Sequence, residues 1–225
     1  LYDSYVPMIR RAGGRPVAVR LAPPGFALDV GALEEVARRE NVRTIVLNNP
    51  QNPAAKVFSR AELEGVARVA ASLDAWIIAD EVYEHIVFDG ARHESVLRHG
   101  ELAQRSFVVS SFGKTYHCTG WKVGYCVAPA ALSAEFRKVH QYLTFCTFHA
   151  AQCALADVLA SIPAHYLDLP AFYQGKRDFF RAAMAGSRFE LLPVPGAGGL
   201  SEEASVAEGR TALKWAYHIW ADTLE

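Results

Sequence analysis

A chain of 225 residues, 51% hydrophobic and 21% charged, has the composition of a globular protein with a sizeable core, and its length suits one large domain or one domain with part of a second. A formal charge of −1, with no long run of either sign, excludes the basic footprint of a nucleic-acid binder and gives no reason to expect an anionic membrane surface as partner. No apolar run is long enough to cross a bilayer, and no charged-then-apolar leader opens the chain.

Short apolar runs alternate with helical patterns, which predicts an α/β fold: a mostly parallel sheet with helices on both faces. The first clear strand is 44–47, Thr-Ile-Val-Leu, ending in the polar, proline-broken segment Asn48 to Pro53. Ser59 and Glu62 form a capping box that opens a helix with Leu63, Val66, Ala67 and Ala70 on its apolar face. A second strand, 75–79, ends at Asp80, and a third, 107–109, ends in serines before Lys114. A fourth covers 123–127 and is stopped by Pro129.

From Leu132 to about Leu159 the pattern is helical, interrupted where Phe145 to Phe148 crowds aromatic and β-branched residues. Pro163 and Pro170 mark a change of element, and the division expected is a partial large domain over 1–162 and the start of a smaller α/β domain over 163–225. Helical period returns from Pro170 to Met184. Beyond Pro195 the chain turns small and polar, and Leu213, Ala216, Tyr217 and Trp220 are placed as one stripe on a last short helix.

In open α/β sheets, ligands sit beyond the carboxyl ends of the strands. Three successive strands here deliver distinctive groups at that edge: Asn48 and Asn52, then Asp80 and Tyr83, then Ser111 and Lys114. Each has a bland reading: a solvated lysine, a helix-capping aspartate, a core tyrosine, turn asparagines. Together they point to one chemistry. A lysine can form a Schiff base with an aldehyde cofactor, and an aspartate can hold a pyridine nitrogen protonated. His85 and His93 flank a turn at Phe88-Asp89-Gly90, and no metal site is assigned to them.

The chain resembles the class I/II aminotransferases, fold-type I enzymes dependent on pyridoxal 5'-phosphate (PLP), and within them the branch of methionine, kynurenine and glutamine transaminases. The matching segments are Tyr2-Asp3-Ser4-Tyr5, Asn48-Asn49-Pro50-Gln51-Asn52-Pro53, Asp80-Glu81-Val82-Tyr83-Glu84-His85, and Ser110-Ser111-Phe112-Gly113-Lys114-Thr115 continuing to Thr119-Gly120-Trp121-Lys122-Val123-Gly124. The likeness runs from Leu1 to about Pro195.

The resemblance implies a role for each matched residue. Lys114 would hold the cofactor aldehyde and shuttle the substrate proton. Asp80 would pair with the pyridine nitrogen, while Asn52 and Tyr83 would hydrogen-bond the ring's phenolic oxygen. Ser111 and Lys122 would bind the phosphate, Tyr2 would stack on the ring, and Asn48 would lie near the substrate carboxylate. The implied reaction moves an amino group from an L-amino acid to a 2-oxo acid; a cysteine-conjugate β-lyase on the same scaffold and an inactive remnant are the alternatives. A homodimer is implied as well.

Three departures from the family pattern stand out. Asn52-Pro53 is followed by Ala54-Ala55 where a small residue and glycine are expected, which predicts strain if Ala55 has positive φ. The chain opens on Leu1, not methionine, and the family's earlier glycine-rich phosphate turn is not in it. After Pro195 the pattern is lost, so neither Arg188 nor Arg210 is assigned to a substrate carboxylate, and a truncated or frame-shifted gene product is the expectation. The four cysteines, Cys118, Cys126, Cys146 and Cys153, read as buried thiols in a reducing compartment, with Cys146 and Cys153 on one helix face; a cytoplasmic location follows.

Overall fold

Four short runs rich in β-branched and aromatic residues form the central sheet of the computed structural model, which describes residues 2–23, 25–187, 189–191, 203–206 and 212–214. The strands are β1 (Thr44–Asn48), β2 (Trp76–Asp80), β3 (Ser106–Ser111) and β4 (Gly124–Val127), in the order β1-β2-β3-β4. The first three are parallel and β4 is antiparallel to β3. The antiparallel strand has a consequence for the site. It begins at the edge where the other three end.

Helices α1 (Tyr5–Arg11), α2 (Val30–Arg39) and α3 (Arg60–Ser72) come from the first part of the chain. Asp29 caps α2 by accepting the Ala32 N–H at 3.0 Å. Ser59 and Glu62 form the reciprocal capping box of α3, as the sequence pattern indicates. Gly65 permits the close approach of these two helices, because a Cβ there would fall 2.4 Å from Cγ2 of Val30. Leu33 and Ala37 of α2 join Leu63, Val66, Val69 and Ala70 of α3 against Leu47, Ile77, Ala79 and Val108 of the sheet. This is the main core.

Short α4 (Gly100–Ala103) closes that core with Leu102 and leads into β3. One-turn α5 (Phe112–Thr115) follows β3 directly. On the other sheet face, Trp76 and Ile78 are exposed, while Phe107 lies 6.4 Å from Phe136 of α6 (Ala130–Leu143). Helices therefore lie on both faces. The predicted interruption falls between α6 and α7 (His149–Ser161), at residues 144–148.

Helix α8 (His165–Met184) starts five residues earlier than the sequence pattern suggested and carries Pro170 inside it. Pro163 does mark a boundary, but Pro170 does not. The buried side chains of Leu169 and Tyr173 bracket the proline and anchor the helix among Tyr83, Ile86 and Phe88, which offsets the one backbone bond that proline removes. Arg177 strengthens this docking with two bonds to Asp89, at 2.6 and 2.8 Å.

A separate antiparallel sheet joins β5 (Phe189–Leu191), β6 (Glu203–Val206) and β7 (Ala212–Lys214). Leu213 therefore sits in a strand, paired with Ala204, and not on the terminal helix expected of it. A ladder partner overrides a short apolar period. Ala216, Tyr217 and Trp220 lie outside the described residues, as do Arg188, Pro195 and Arg210.

The cysteine expectation also needs correction. Cys146 and Cys153 are exposed, and Cys118 and Cys126 are half-buried. Cys146 precedes α7 and does not share a helix with Cys153, whose Sγ lies 3.5 Å from His149 Nε2. The aromatic run at 145–148 ends α6 before Cys146 can join a helical face. Among the described residues, no helix is long and apolar enough to cross a membrane.

Leu63 has no solvent exposure and sits at the α3–sheet junction. Leu63→Ala is expected to destabilise the chain by about 2–5 kcal/mol, read as a lower urea midpoint at unchanged slope.

Candidate active site

Strand register assembles the site. Asn48 pairs with Asp80 across β1 and β2, and Asp80 pairs with Val109 across β2 and β3, two residues before Ser111. Ser111 in turn pairs with Gly124 at the start of β4. The polar ends of β1, β2 and β3 thus share one edge of the sheet with the start of β4.

At the end of β2, the Asp80 carboxylate accepts the Val82 N–H at 3.2 Å on one oxygen and the Tyr5 hydroxyl on the other. Burial and the neighbouring Asp80 charge push the Tyr5 phenol far above the usual tyrosine range, so it stays a donor. Tyr2, from the segment before α1, meets the Tyr5 ring edge-on at 5.5 Å. Tyr83 is buried in the cluster with Leu169 and Tyr173. Beyond burial, Asp80, Tyr83 and Tyr2 all act to raise the Tyr5 phenol.

That phenol had no role in the sequence reading. Tyr5 stood inside a matched segment, but only the contact across 75 residues identifies its partner.

The loop after β1 is held from within. Asn48 Nδ2 donates to the Asp80 carbonyl at 3.1 Å, and its Oδ1 accepts the Asn52 N–H at 2.7 Å. Fully buried Asn49 accepts the Phe58 N–H at 3.0 Å and donates to the Glu94 carbonyl at 2.9 Å. The Asn49–Pro50 and Asn52–Pro53 peptides are cis. Ala55, buried where the family pattern has glycine, adopts φ of 55°. The anticipated strain is present, because a Cβ disfavours the left-handed region.

Lys114 is the third residue of α5, immediately beyond β3. Ser111 caps that turn, its Oγ accepting the Gly113 N–H at 2.9 Å and donating to the Val123 carbonyl at 3.3 Å. Thr119 Oγ1 donates to the Gly113 carbonyl at 3.1 Å. Gly113 has no room for a side chain: a Cβ would lie 2.9 Å from the Thr119 Cα. Lys122 follows the short 3-10 turn 119–121, is exposed, and has left-handed backbone with φ of 57°. It joins the same edge through Val123, whose carbonyl also accepts the Phe112 N–H at 3.1 Å.

A second polar group lies below this edge. Glu84 accepts hydrogen bonds from Ser110 at 2.8 Å and from Tyr125 at 2.7 Å, and burial with that carboxylate pushes the Tyr125 phenol up to about 12. Buried Glu81 accepts the Val96 N–H at 2.9 Å and lies 3.0 Å from His93 Nε2. His93 is thereby paired with a carboxylate of the scaffold.

A mostly parallel sheet with a lysine turn beyond one strand and an aspartate ending its neighbour defines the class of protein: the large domain of a PLP enzyme of fold type I. More narrowly, the chain belongs to the aminotransferase class I and II family, whose sequence profile matches residues 1–198. It is 50% identical over 195 residues to a methionine aminotransferase of Escherichia coli, covering 87% of this chain and 50% of that protein. It is 40% identical over 166 residues to human kynurenine–oxoglutarate transaminase 1, covering 69% of this chain and 39% of the relative.

Among solved structures, N-succinyldiaminopimelate aminotransferase from Mycobacterium tuberculosis superposes with a TM-score of 0.84 at 36% identity, covering 90% of this chain and 53% of that one. The E. coli methionine aminotransferase gives 0.82, covering 87% and 52%. The chain spans about half the length of the relatives it matches. The family uses PLP.

Ala55→Gly is expected to stabilise the chain by about 0.5–1 kcal/mol, the left-handed penalty of alanine outweighing the added freedom of unfolded glycine; chemical denaturation measures it. Tyr5→Phe is expected to cost about 1–3 kcal/mol, as for a hydrogen bond to a charged group. An alkaline difference spectrum taken around pH 10 should be unchanged in amplitude by Tyr5→Phe, because the phenol removed does not ionise there.

Proposed function

We propose that this protein transfers an amino group from an L-amino acid to a 2-oxo acid, with PLP held at the carboxyl edge of the central sheet. One observation carries the reading: the register that sets Asp80 and the Lys114 turn on neighbouring strand ends. The donor set fits this cofactor. Asp80 accepts from two donors and retains lone pairs for a ring N–H. Asn52 and Tyr83 would serve the phenolic oxygen, and Tyr2 the ring face. Ser111 and Lys122 would hold the phosphate, the cation offsetting its charge.

When bound, PLP supplies a sink for the electrons left by removal of an amino acid's α-proton. The rest falls to the chain's own groups. Lys114 would anchor the aldehyde and, once released, take and return that proton with its neutral amine. Asp80 would keep the ring nitrogen protonated. Asn48, whose amide braces the loop 49–52, would shape the border near the substrate carboxylate.

A methionine-like or other bulky apolar donor is the substrate class proposed, on the likeness to the E. coli enzyme. We place the division between the two domains at 162/163, with α8 opening the second. A homodimer suits the apolar surface at Tyr142, Leu143, Phe145 and Phe148, all strongly exposed at the end of α6, a helix with no buried residue. Four unpaired thiols support a cytoplasmic location.

The test is an absorbance spectrum of the chain with PLP beside Lys114→Ala. A visible band that the variant lacks is expected; a band that persists unchanged, or none in either protein, overturns the reading. Asp80→Ala should weaken PLP binding about 10- to 100-fold, the loss expected for a hydrogen bond to a charged group.

A further inference from the structure

The Lys114 turn is short, and a one-turn helix cannot satisfy its own carbonyls. Local groups take two of them. The Phe112 carbonyl accepts the Tyr116 N–H at 2.8 Å, with Cys118 Sγ at 3.7 Å, and the Gly113 carbonyl accepts Thr119 Oγ1 at 3.1 Å. The Thr115 carbonyl, next to the lysine, is different. Its partner is His165 Nε2 at 3.0 Å, from 50 residues away.

His165 is the first residue of α8, and its ring meets two others. Tyr116 stacks on it at 5.2 Å with planes 25° apart, and His117 meets it edge-on at 5.9 Å. His117 Nδ1 in turn lies 3.3 Å from the hydroxyl of Tyr173, two turns further along α8. His117 has φ of 54°, so the chain departs from ordinary backbone where it meets this helix. The same helix packs Leu169 and Tyr173 against Tyr83. One helix therefore touches the lysine turn and the end of the Asp80 segment at once.

We propose that His165 is a positioning residue for Lys114: by donating to the Thr115 carbonyl it fixes the lysine turn to α8, so the seating of α8 sets how readily Lys114 captures an aldehyde. The proposal rests on the cofactor reading above, but its geometry does not. Either protonation state with hydrogen on Nε2 makes the bond, so a donor at that place is required, not a charge. Glutamine can bring an amide donor close to the Nε2 position. Phenylalanine keeps the ring beside Tyr116 and loses the donor.

The experiment compares the unmodified chain with His165→Gln and His165→Phe by two readouts. The first is hydrogen exchange of the amides of residues 112–117 without cofactor. The second is borohydride trapping of PLP, with the adduct mapped to the peptide holding Lys114. The expected result is faster exchange and about three- to tenfold weaker trapping in His165→Phe, the loss of one neutral hydrogen bond, with both restored to within about twofold in His165→Gln.

A phenylalanine variant that matches the unmodified chain in either readout overturns the proposal. So does a glutamine variant as impaired as phenylalanine, since packing and not the donor would then be at work. If the unmodified chain traps nothing at Lys114, the cofactor reading falls, and the exchange comparison alone decides whether His165 braces the turn.

Discussion

The parallel register of β1, β2 and β3 is the constraint on which the site depends. Side chains alternate across a sheet with period two, so a slip of one residue would turn Asp80 to the opposite face. Ile77 and Ala79 prevent that slip, because both must face the core packed by α2 and α3. The residues that fill the core therefore determine where the carboxylate points. Glu62 reinforces the arrangement through the α3 cap and through the Leu28 N–H at 2.8 Å.

Much of this was legible in the sequence because it is written in local signals. The capping box at Ser59 and Glu62, the apolar run ending at Asp80 and the serines before Lys114 each declare an element or its end within a few residues. The break at 144–148 was legible for the same reason. The family likeness, running from Leu1 to about Pro195, then supplied expected roles that no period contains.

What escaped was long-range. Tyr5 reaches Asp80 across 75 positions, and His165 reaches Thr115 across 50. No periodicity records such a pair, since each partner is ordinary in its own segment. Pro170 misled because a breaker signal is local, whereas the anchoring of Leu169 and Tyr173 is tertiary. The cysteines misled in the opposite sense. A residue type usually buried was assigned by its average, while Cys146 and Cys153 are exposed in the structure. Leu213 shows the same competition, with strand pairing prevailing over an apolar stripe.

The Asp80 pair shows how donors take the place of hydration at the end of a half-buried strand. A carboxylate removed from water is costly unless donors replace the lost hydration. Here the Val82 N–H comes free with the turn that ends β2, and the Tyr5 hydroxyl comes from a helix outside the sheet. Desolvation raises the Tyr5 phenol, and the neighbouring carboxylate raises it further, because ionising Tyr5 would set two anions side by side. Tyr5 thus stays a donor to the Asp80 carboxylate. Helix α1 therefore contributes to the surroundings of Asp80 as directly as the strand does.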